Sequence, residues 1–195
     1  MNNQIVDIFD TDRKYTVIYA DPAWQFKNKR TGGKHKSGAA QKYTVTSVKD
    51  MMRLPVEQLA ADDCLLVMWW VGSMPQEAID LCEFWGFKLV NMNGFVWDKE
   101  TKTGLDHFGM GHSTRPSTES ALIAYKGKIS NLVINHSVRS KIRAKTGRHS
   151  EKPHEFREAI VKLVGDVPKI ELFSRQVTDG WDCWGNEVLK DKEAA

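Results

Sequence analysis

YTVIYADPAW, residues 15–24, is the stretch that decides the fold. Its first six residues, Tyr15–Ala20, are apolar, aromatic or β-branched, and a run this short predicts one buried strand rather than a helix. The strand ends abruptly at Asp21 and Pro22. An Asp-Pro pair commonly just starts a turn. An acid at the end of a buried strand, however, can also reach the edge of a sheet where ligands bind, and its position favours that second interpretation.

Strands and helices alternate along the rest of the chain. Apolar runs predict strands at Cys64–Trp70, Phe87–Trp97, Glu119–Tyr125 and Lys169–Phe173. Helical patterns cover Thr46–Leu59, Met74–Trp85 and Pro153–Val164. This alternation predicts an α/β fold, in which a mostly parallel sheet carries helices on both faces. Because such sheets bind ligands at the carboxyl ends of their strands, Asp21 and the loop after Phe173 are expected to converge.

Composition fits one soluble domain spanning residues 1–195, with 41% hydrophobic and 27% charged residues. The longest apolar runs are far shorter than the roughly 20 residues that cross a bilayer, and the first ten residues lack the pattern of a secretory signal. Cys64, Cys82 and Cys183 have no paired spacing, which favours buried thiols and no structural metal. We therefore expect no membrane span and a cytoplasmic location.

Positive charge is concentrated in two segments. Residues 25–49 and residues 121–150 each hold seven Lys or Arg and no acid, whereas the rest of the chain holds 14 basic residues against 25 acids. The sequence predicts long loops over residues 25–49 and, after the strand that ends at Tyr125, over residues 126–150. Each loop is compatible with ordinary solvated surface. Their position on either side of the predicted ligand edge favours a polyanionic partner.

Short motifs follow one another from Tyr15 to about Val188. They are the strand with DPAW, WW at Trp69-Trp70, WGF at Trp85–Phe87, FVWDK at Phe95–Lys99, GMGHSTRPSTE at Gly109–Glu119, HSEKP at His149–Pro153, ELFSR at Glu171–Arg175 and GWDCWGNE at Gly180–Glu187. By these motifs, in this order, the chain resembles the MT-A70 family of adenine-N6 methyltransferases, and in particular its compact phage and bacterial members.

The resemblance implies a Rossmann-like fold with a permuted motif order, in which the catalytic motif lies near the start and the cofactor strand near the end. It also implies that S-adenosylmethionine is the cofactor and that adenine N6 in DNA is the target. The implied location is the cytoplasm of a bacterial or phage-infected host cell. A chain of this length leaves little room for a separate sequence-reading domain, so short or relaxed specificity is expected. An RNA substrate and a catalytically inactive nucleic-acid-binding protein stay open as alternatives. The sequence is compatible with a monomer or a homodimer.

The resemblance also assigns residues to roles. The catalytic motif is Asp21, Pro22, Ala23 and Trp24. Cofactor contacts are implied for Asp21, Pro22, Lys152, Glu171, Phe173, Arg175, Asn186 and Glu187. Substrate contacts are implied for Trp24, His112, Arg115 and Glu119, and charge adds Lys27, Lys29, Arg30, Arg139, Lys141, Arg143, Lys145 and Arg148. Without the resemblance, Lys152 fits a surface lysine at a helix start and Glu171 an edge-strand charge.

The residue types of the first motif suit this chemistry. The adenine amine is a poor nucleophile because its lone pair is delocalised into the ring, and the Asp21 carboxylate and the Pro22 carbonyl are acceptors that can hold its two N–H groups. Trp24 offers a flat face for an extruded base. The family usually has a second proline where this chain has Ala23. The Pro22 acceptor is kept, and one fixed φ angle is lost.

Overall fold

The computed structural model describes residues 3–24, 47–111, 113–147 and 151–188. In these ranges the strands are β1 (Tyr15–Ala20), β2 (Ala60–Trp70), β3 (Lys88–Glu100), β4 (Thr118–Lys126), β5 (Lys141–Lys145), β6 (Lys169–Leu172) and β7 (Asp182–Trp184). They form one sheet in the order β5-β3-β4-β2-β1-β6-β7. Only β4 runs against its neighbours, β2 and β3, and the other pairs are parallel. The predicted mostly parallel sheet is confirmed.

Helices cover both faces of this sheet, as predicted. They are α1 (Val48–Met52), α2 (Val56–Leu59), α3 (Pro75–Phe84) and α4 (His154–Val164). Side chains of the first three pack with Ile18 and Leu66 in one core. Those of α4 pack with Val17 and Leu65 in a second core on the opposite face. Because side chains alternate across a strand, neighbouring residues of β1 and β2 serve the two cores in turn.

The first strand lies in the middle of the sheet, between β2 and a strand from near the end of the chain. Val17 pairs with Lys169 and Ala20 with Leu172, and an isolated bridge joins Ile5 to Cys183. The expected catalytic motif and the expected cofactor strand are therefore neighbours, and Asp21 and Phe173 leave the sheet at the same edge. We call it the carboxyl edge.

Two strands lie where the sequence predicts irregular structure. β5 falls inside residues 126–150, and β3 continues through Asp98 to Glu100. β5 alternates lysine or arginine with Ile142 and Ala144, so its period of two is that of a strand although three of its five residues are charged. Residues 25–46, most of the first basic segment, lie outside the described residues, and Lys49 lies in α1.

All three cysteines are buried and free, as predicted. Burial raises the pKa of the Cys64 thiol to about 12 and that of Cys183 to about 11. Within the described ranges, no helix has both the length and the apolar composition of a membrane span.

Candidate active site

An ion pair between Asp21 and Lys152 lies at the carboxyl edge of the sheet. Asp21 follows β1, and Lys152 lies just before α4. The Lys152 ammonium donates to both Asp21 carboxylate oxygens, at 2.9 and 2.8 Å. Its nitrogen lies 5.2 Å from the centre of the Trp69 ring, and only 8% of the side chain is exposed. Lys152 is therefore buried beside Asp21, and its interpretation as a surface lysine is wrong.

Glu119 and Lys99 extend this pair into a chain of four charges. The Lys152 ammonium lies 3.4 Å from one oxygen of Glu119, at the start of β4. The other Glu119 oxygen accepts from Lys99, whose ammonium lies 4.8 Å from the centre of the Trp97 ring. Asp21, Lys152, Glu119 and Lys99 alternate in sign and sum to zero. We call these four residues the charge chain.

Sequence reasoning missed Lys99, although the motif that contains it was recognised. Trp97 pairs with Glu119 in the antiparallel β3–β4 ladder. Because side chains two positions apart on a strand share a face, Lys99 lies on the same face as Trp97 and Glu119. Knowing the register of this pairing would have been enough to place Lys99 in the site.

The charge chain changes the proton affinity of its members. Burial by itself raises the pKa of Glu119, but Lys152 and Lys99 outweigh burial, and the net pKa is lowered. Burial by itself lowers the pKa of Lys152, but Asp21 and Glu119 outweigh it, and the net pKa is raised. Glu119 and Lys152 therefore stay ionised over a wider pH range than free side chains do. Since an ionised carboxylate only accepts hydrogen bonds, Glu119 presents an acceptor.

Glu171 was expected to contact the cofactor, and in the structure another side chain of the protein engages it. Its carboxylate is inside the protein, where it accepts two hydrogen bonds from the Arg157 guanidinium of α4, at 2.8 and 2.6 Å. The exposed fractions of the two side chains are 11% for Arg157 and 7% for Glu171. The guanidinium also lies 5.4 Å from the centre of the Tyr19 ring. A buried carboxylate needs a partner, and Arg157 supplies it, so the pair fixes α4 to β1 and β6.

Trp24 was expected to offer an open stacking face, and the structure corrects this expectation. Its side chain is 3% exposed and belongs to the core beneath the carboxyl edge. The Trp24 indole N–H donates to the carbonyl of Trp69 at 2.9 Å, and its backbone N–H donates to the Pro22 carbonyl at 2.9 Å. This short turn folds the ring back onto the sheet. The Pro22 carbonyl keeps a second lone pair for a further donor.

The expected cofactor residues after β6 and β7 lie side by side. The Ser174 N–H donates to the carbonyl of Trp184 at 2.9 Å, and Phe173 meets Trp184 ring to ring at 5.7 Å. A Cβ added at Gly185 would lie 2.1 Å from the Ser174 carbonyl oxygen, so only glycine allows this approach. Arg175 and Glu187 face each other at 3.9 Å, and Asn186 is exposed. The residues that follow β6 and those that follow β7 thus lie next to each other, and we call them together the rim.

The predicted phosphate contacts are only partly free. Lys141 binds Asp98 at 2.8 Å, and Arg143 binds Glu100 and Asp106. These acids belong to β3 and to the loop after it. The basic segment contains no acid of its own, but acids from elsewhere in the chain form ion pairs with two of its cations. Arg115, Arg139 and Lys145 are exposed, while Lys27, Lys29, Arg30, His112 and Arg148 lie outside the described residues. In the described ranges, His, Cys, Asp and Glu do not come together in a group of three that could hold a metal.

Comparison with known proteins supports one family. The family description MT-A70 matches residues 15–187. The Type II methyltransferase M.MunI of Mycoplasma sp is 36% identical over an alignment 194 residues long, which covers 92% of this chain and 80% of that protein. The N(6)-adenine-specific methyltransferase METTL4 of Homo sapiens is 26% identical over 91% of this chain and 38% of its own length. The N6-methyladenosine RNA methyltransferase MTA1 of Pyricularia oryzae is 26% identical over 92% of this chain and 48% of its own length.

Proposed function

Because the chain belongs to the MT-A70 family of methyltransferases, we propose that it transfers a methyl group from S-adenosylmethionine to the N6 amine of adenine in DNA. The observation that carries this proposal is the Asp21 carboxylate, held by Lys152 at the carboxyl edge beside Glu119. This edge is where α/β sheets bind their ligands. The 36% identity to a Type II methyltransferase agrees with it.

Asp21 and Pro22 are the groups that we assign to the amine. The carboxylate accepts one N–H of the amine and the Pro22 carbonyl accepts the other, which directs the nitrogen lone pair away from both acceptors. Lys152 fixes the orientation of the Asp21 carboxylate through two hydrogen bonds. Positioning of this kind supplies a large share of the catalysis when one reactant must be held in line with another.

The residues of the site also fit S-adenosylmethionine, which supplies an electrophilic methyl group on a sulfonium when bound. Lys152 is a buried cation suited to a carboxylate such as that of the methionine moiety. Phe173, Asn186 and Glu187 offer an apolar ring, an amide and a carboxylate along the rim described above, which suits a nucleoside. Arg175 lies on the same rim.

The choice between DNA and RNA is the part of the proposal for which an alternative substrate was also considered. The relatives named for RNA are 26% identical, against 36% for the Type II methyltransferase, so we assign DNA as the substrate. We further propose short or relaxed sequence specificity. Mapping N6-methyladenine across random-sequence DNA tests this, and a long strict recognition site would contradict it. A cytoplasmic location, as expected from the sequence, belongs to the same proposal.

The decisive experiment compares Asp21→Asn with the wild-type chain. Transfer of a labelled methyl group to matched DNA and RNA oligonucleotides is measured, and the product nucleoside is identified by mass spectrometry. Asp21→Asn keeps the shape of the side chain, and since it removes one charged acceptor we expect transfer to fall by about 10²–10³-fold. The control is Asp80→Asn, which changes an exposed aspartate on α3 and leaves transfer unchanged.

Three outcomes of this comparison are informative. N6-methyladenine in DNA, lost in Asp21→Asn and kept in Asp80→Asn, supports the proposal. Product in RNA alone overturns the assignment of DNA and keeps the chemistry. Full activity of Asp21→Asn overturns the assigned role of the carboxylate.

A further inference from the structure

The loop between β3 and β4 projects from the carboxyl edge beside the charge chain. We call its described residues, 101–111 and 113–117, the finger. At its base the Lys99 N–H donates to the Ser117 carbonyl at 2.9 Å, and the His107 N–H donates to the Lys99 carbonyl at 3.1 Å. Lys99 is thus a member of the charge chain and the root of the finger. Through Glu119 and Lys152, the charge chain links this root to Asp21.

Close backbone contacts give the finger a defined shape. The Gly109 N–H donates to the Pro116 carbonyl at 3.1 Å. A Cβ added at Gly109 would lie 2.4 Å from that same oxygen, so the two arms approach more closely than any side chain permits. The Arg115 guanidinium donates to the Gly111 carbonyl at 3.3 Å and closes the tip.

Large apolar side chains along the finger are exposed. Leu105, Phe108 and Met110 are 68%, 70% and 89% exposed. The Arg115 guanidinium lies 5.3 Å from the centre of the Phe108 ring. A projecting apolar group of this kind marks an interaction site rather than ordinary surface. The ring carries a cation at one side and is otherwise open.

The neighbours of the finger indicate a polyanionic partner. Asp106 of the finger binds Arg143 at 2.9 Å, which ties the finger to the edge strand β5. β5 adds the exposed cation Lys145 beside it, while Lys141 is paired with Asp98 at 2.8 Å. A partner that matches both an exposed aromatic ring and the exposed cations Arg115 and Lys145 has flat bases and phosphates, which is the chemistry of single-stranded or locally unpaired nucleic acid.

We propose that the finger binds nucleic acid, with Phe108 stacking on an unpaired base next to the one held at Asp21 and Arg115 facing the phosphate backbone. This inference rests on the proposed function and adds to it the element that receives the neighbouring nucleotides. Aromatic stacking is tolerant of base identity, so Phe108 adds affinity without reading sequence.

The test measures binding of a short labelled single-stranded oligodeoxynucleotide by fluorescence anisotropy at several salt concentrations. Phe108→Ala is expected to weaken binding about fivefold or more. The slope of log K against log salt stays unchanged because phenylalanine neutralises no phosphate. Phe108→Trp restores the affinity. The matched control is Phe84→Ala, because Phe84 is 61% exposed at the end of α3, next to the opposite edge of the sheet where β3 begins.

The outcomes separate this proposal from the methyl transfer on which it rests. Equal affinities of Phe108→Ala and Phe84→Ala overturn the proposal. It is also overturned if Phe108→Ala dissociates a dimer in sedimentation while leaving the oligonucleotide affinity unchanged, because the finger then joins two copies of the chain. A Phe108-dependent affinity without any methyl transfer by the wild-type chain supports the finger and overturns the proposed activity instead.

Discussion

Replacing one member of the buried pair Arg157–Glu171 is expected to destabilise the protein strongly. Replacing both members together is expected to have little effect on stability. Arg157→Met leaves the Glu171 carboxylate, 7% exposed, without the two hydrogen bonds of 2.8 and 2.6 Å that it accepts. Uncompensated buried charges of this kind cost about 3–5 kcal/mol. Against a total of about 5–15 kcal/mol for a domain, this is a large fraction.

The double variant, Arg157→Met with Glu171→Leu, replaces two charges with apolar side chains. Such replacements of buried ion pairs are about neutral, or stabilise by about 1–4 kcal/mol. Unfolding by urea, followed by tryptophan fluorescence, therefore gives a double-mutant cycle with a coupling energy of several kcal/mol. The control is Arg53→Met, whose partner Asp50 lies 3.3 Å away and whose side chain is 80% exposed. It changes the free energy of unfolding by about 1 kcal/mol at most.

Two results would refute this reasoning. If the double variant is as unstable as the sum of the two single variants, the two charges do not depend on each other. If the stable double variant loses S-adenosylmethionine binding in calorimetry while Arg53→Met keeps it, Glu171 is a cofactor ligand after all. Unchanged binding supports its role as the partner of Arg157.

Three further predictions concern the site. Lys152→Met is expected to weaken S-adenosylmethionine binding about tenfold or more in calorimetry, because a charge-assisted hydrogen bond is lost. The control Lys162→Met, on the exposed side of α4, leaves this binding unchanged. The pKa of Glu119 is lower in the folded protein than in the unfolded chain, so its charge stabilises the fold above the ordinary glutamate range and this contribution disappears as the pH falls through the lowered pKa. The stability difference between wild type and Glu119→Gln in urea should therefore shrink on acidification, and a growing difference would contradict the assigned charges. Gly185→Ala places a Cβ 2.1 Å from the Ser174 carbonyl oxygen and should lower the free energy of unfolding by about 1–3 kcal/mol; an unchanged melting temperature would show that the two segments are not in close contact.

Much of the fold could be predicted because its strands are apolar runs with few competing signals. Tyr15–Ala20 has one interpretation as a strand, and the structure gives the same bounds. β5 was missed because lysine and arginine at alternate positions conceal its period of two, and its inward residues are only Ile142 and Ala144. Charge patterning alone does not separate a basic loop from a basic edge strand.

The sequence predicted which residues belong to the candidate site more completely than it predicted which partners those residues contact. Lys152 and Glu119, to which the resemblance assigns neighbouring roles, lie 3.4 Å apart, and those roles stay predictions. The Arg157 partner of Glu171 and the place of Lys99 were missed for one reason, which is that partners distant in sequence decide whether a charge faces a ligand or the interior. Arg157, 14 residues before Glu171, occupies its carboxylate, and no local pattern reveals this.

The pairing of β1 with β6 also constrains the order in which the protein can mature on the ribosome. Lys169, the neighbour of Val17 in the sheet, is synthesised about 150 residues after it. Until then one side of the central strand has unsatisfied amides and carbonyls, an aggregation-prone state of the kind that chaperones cover. Asp21 has no Lys152 beside it either, so the Asp21–Lys152 pair cannot form until the chain has been synthesised at least as far as Lys152.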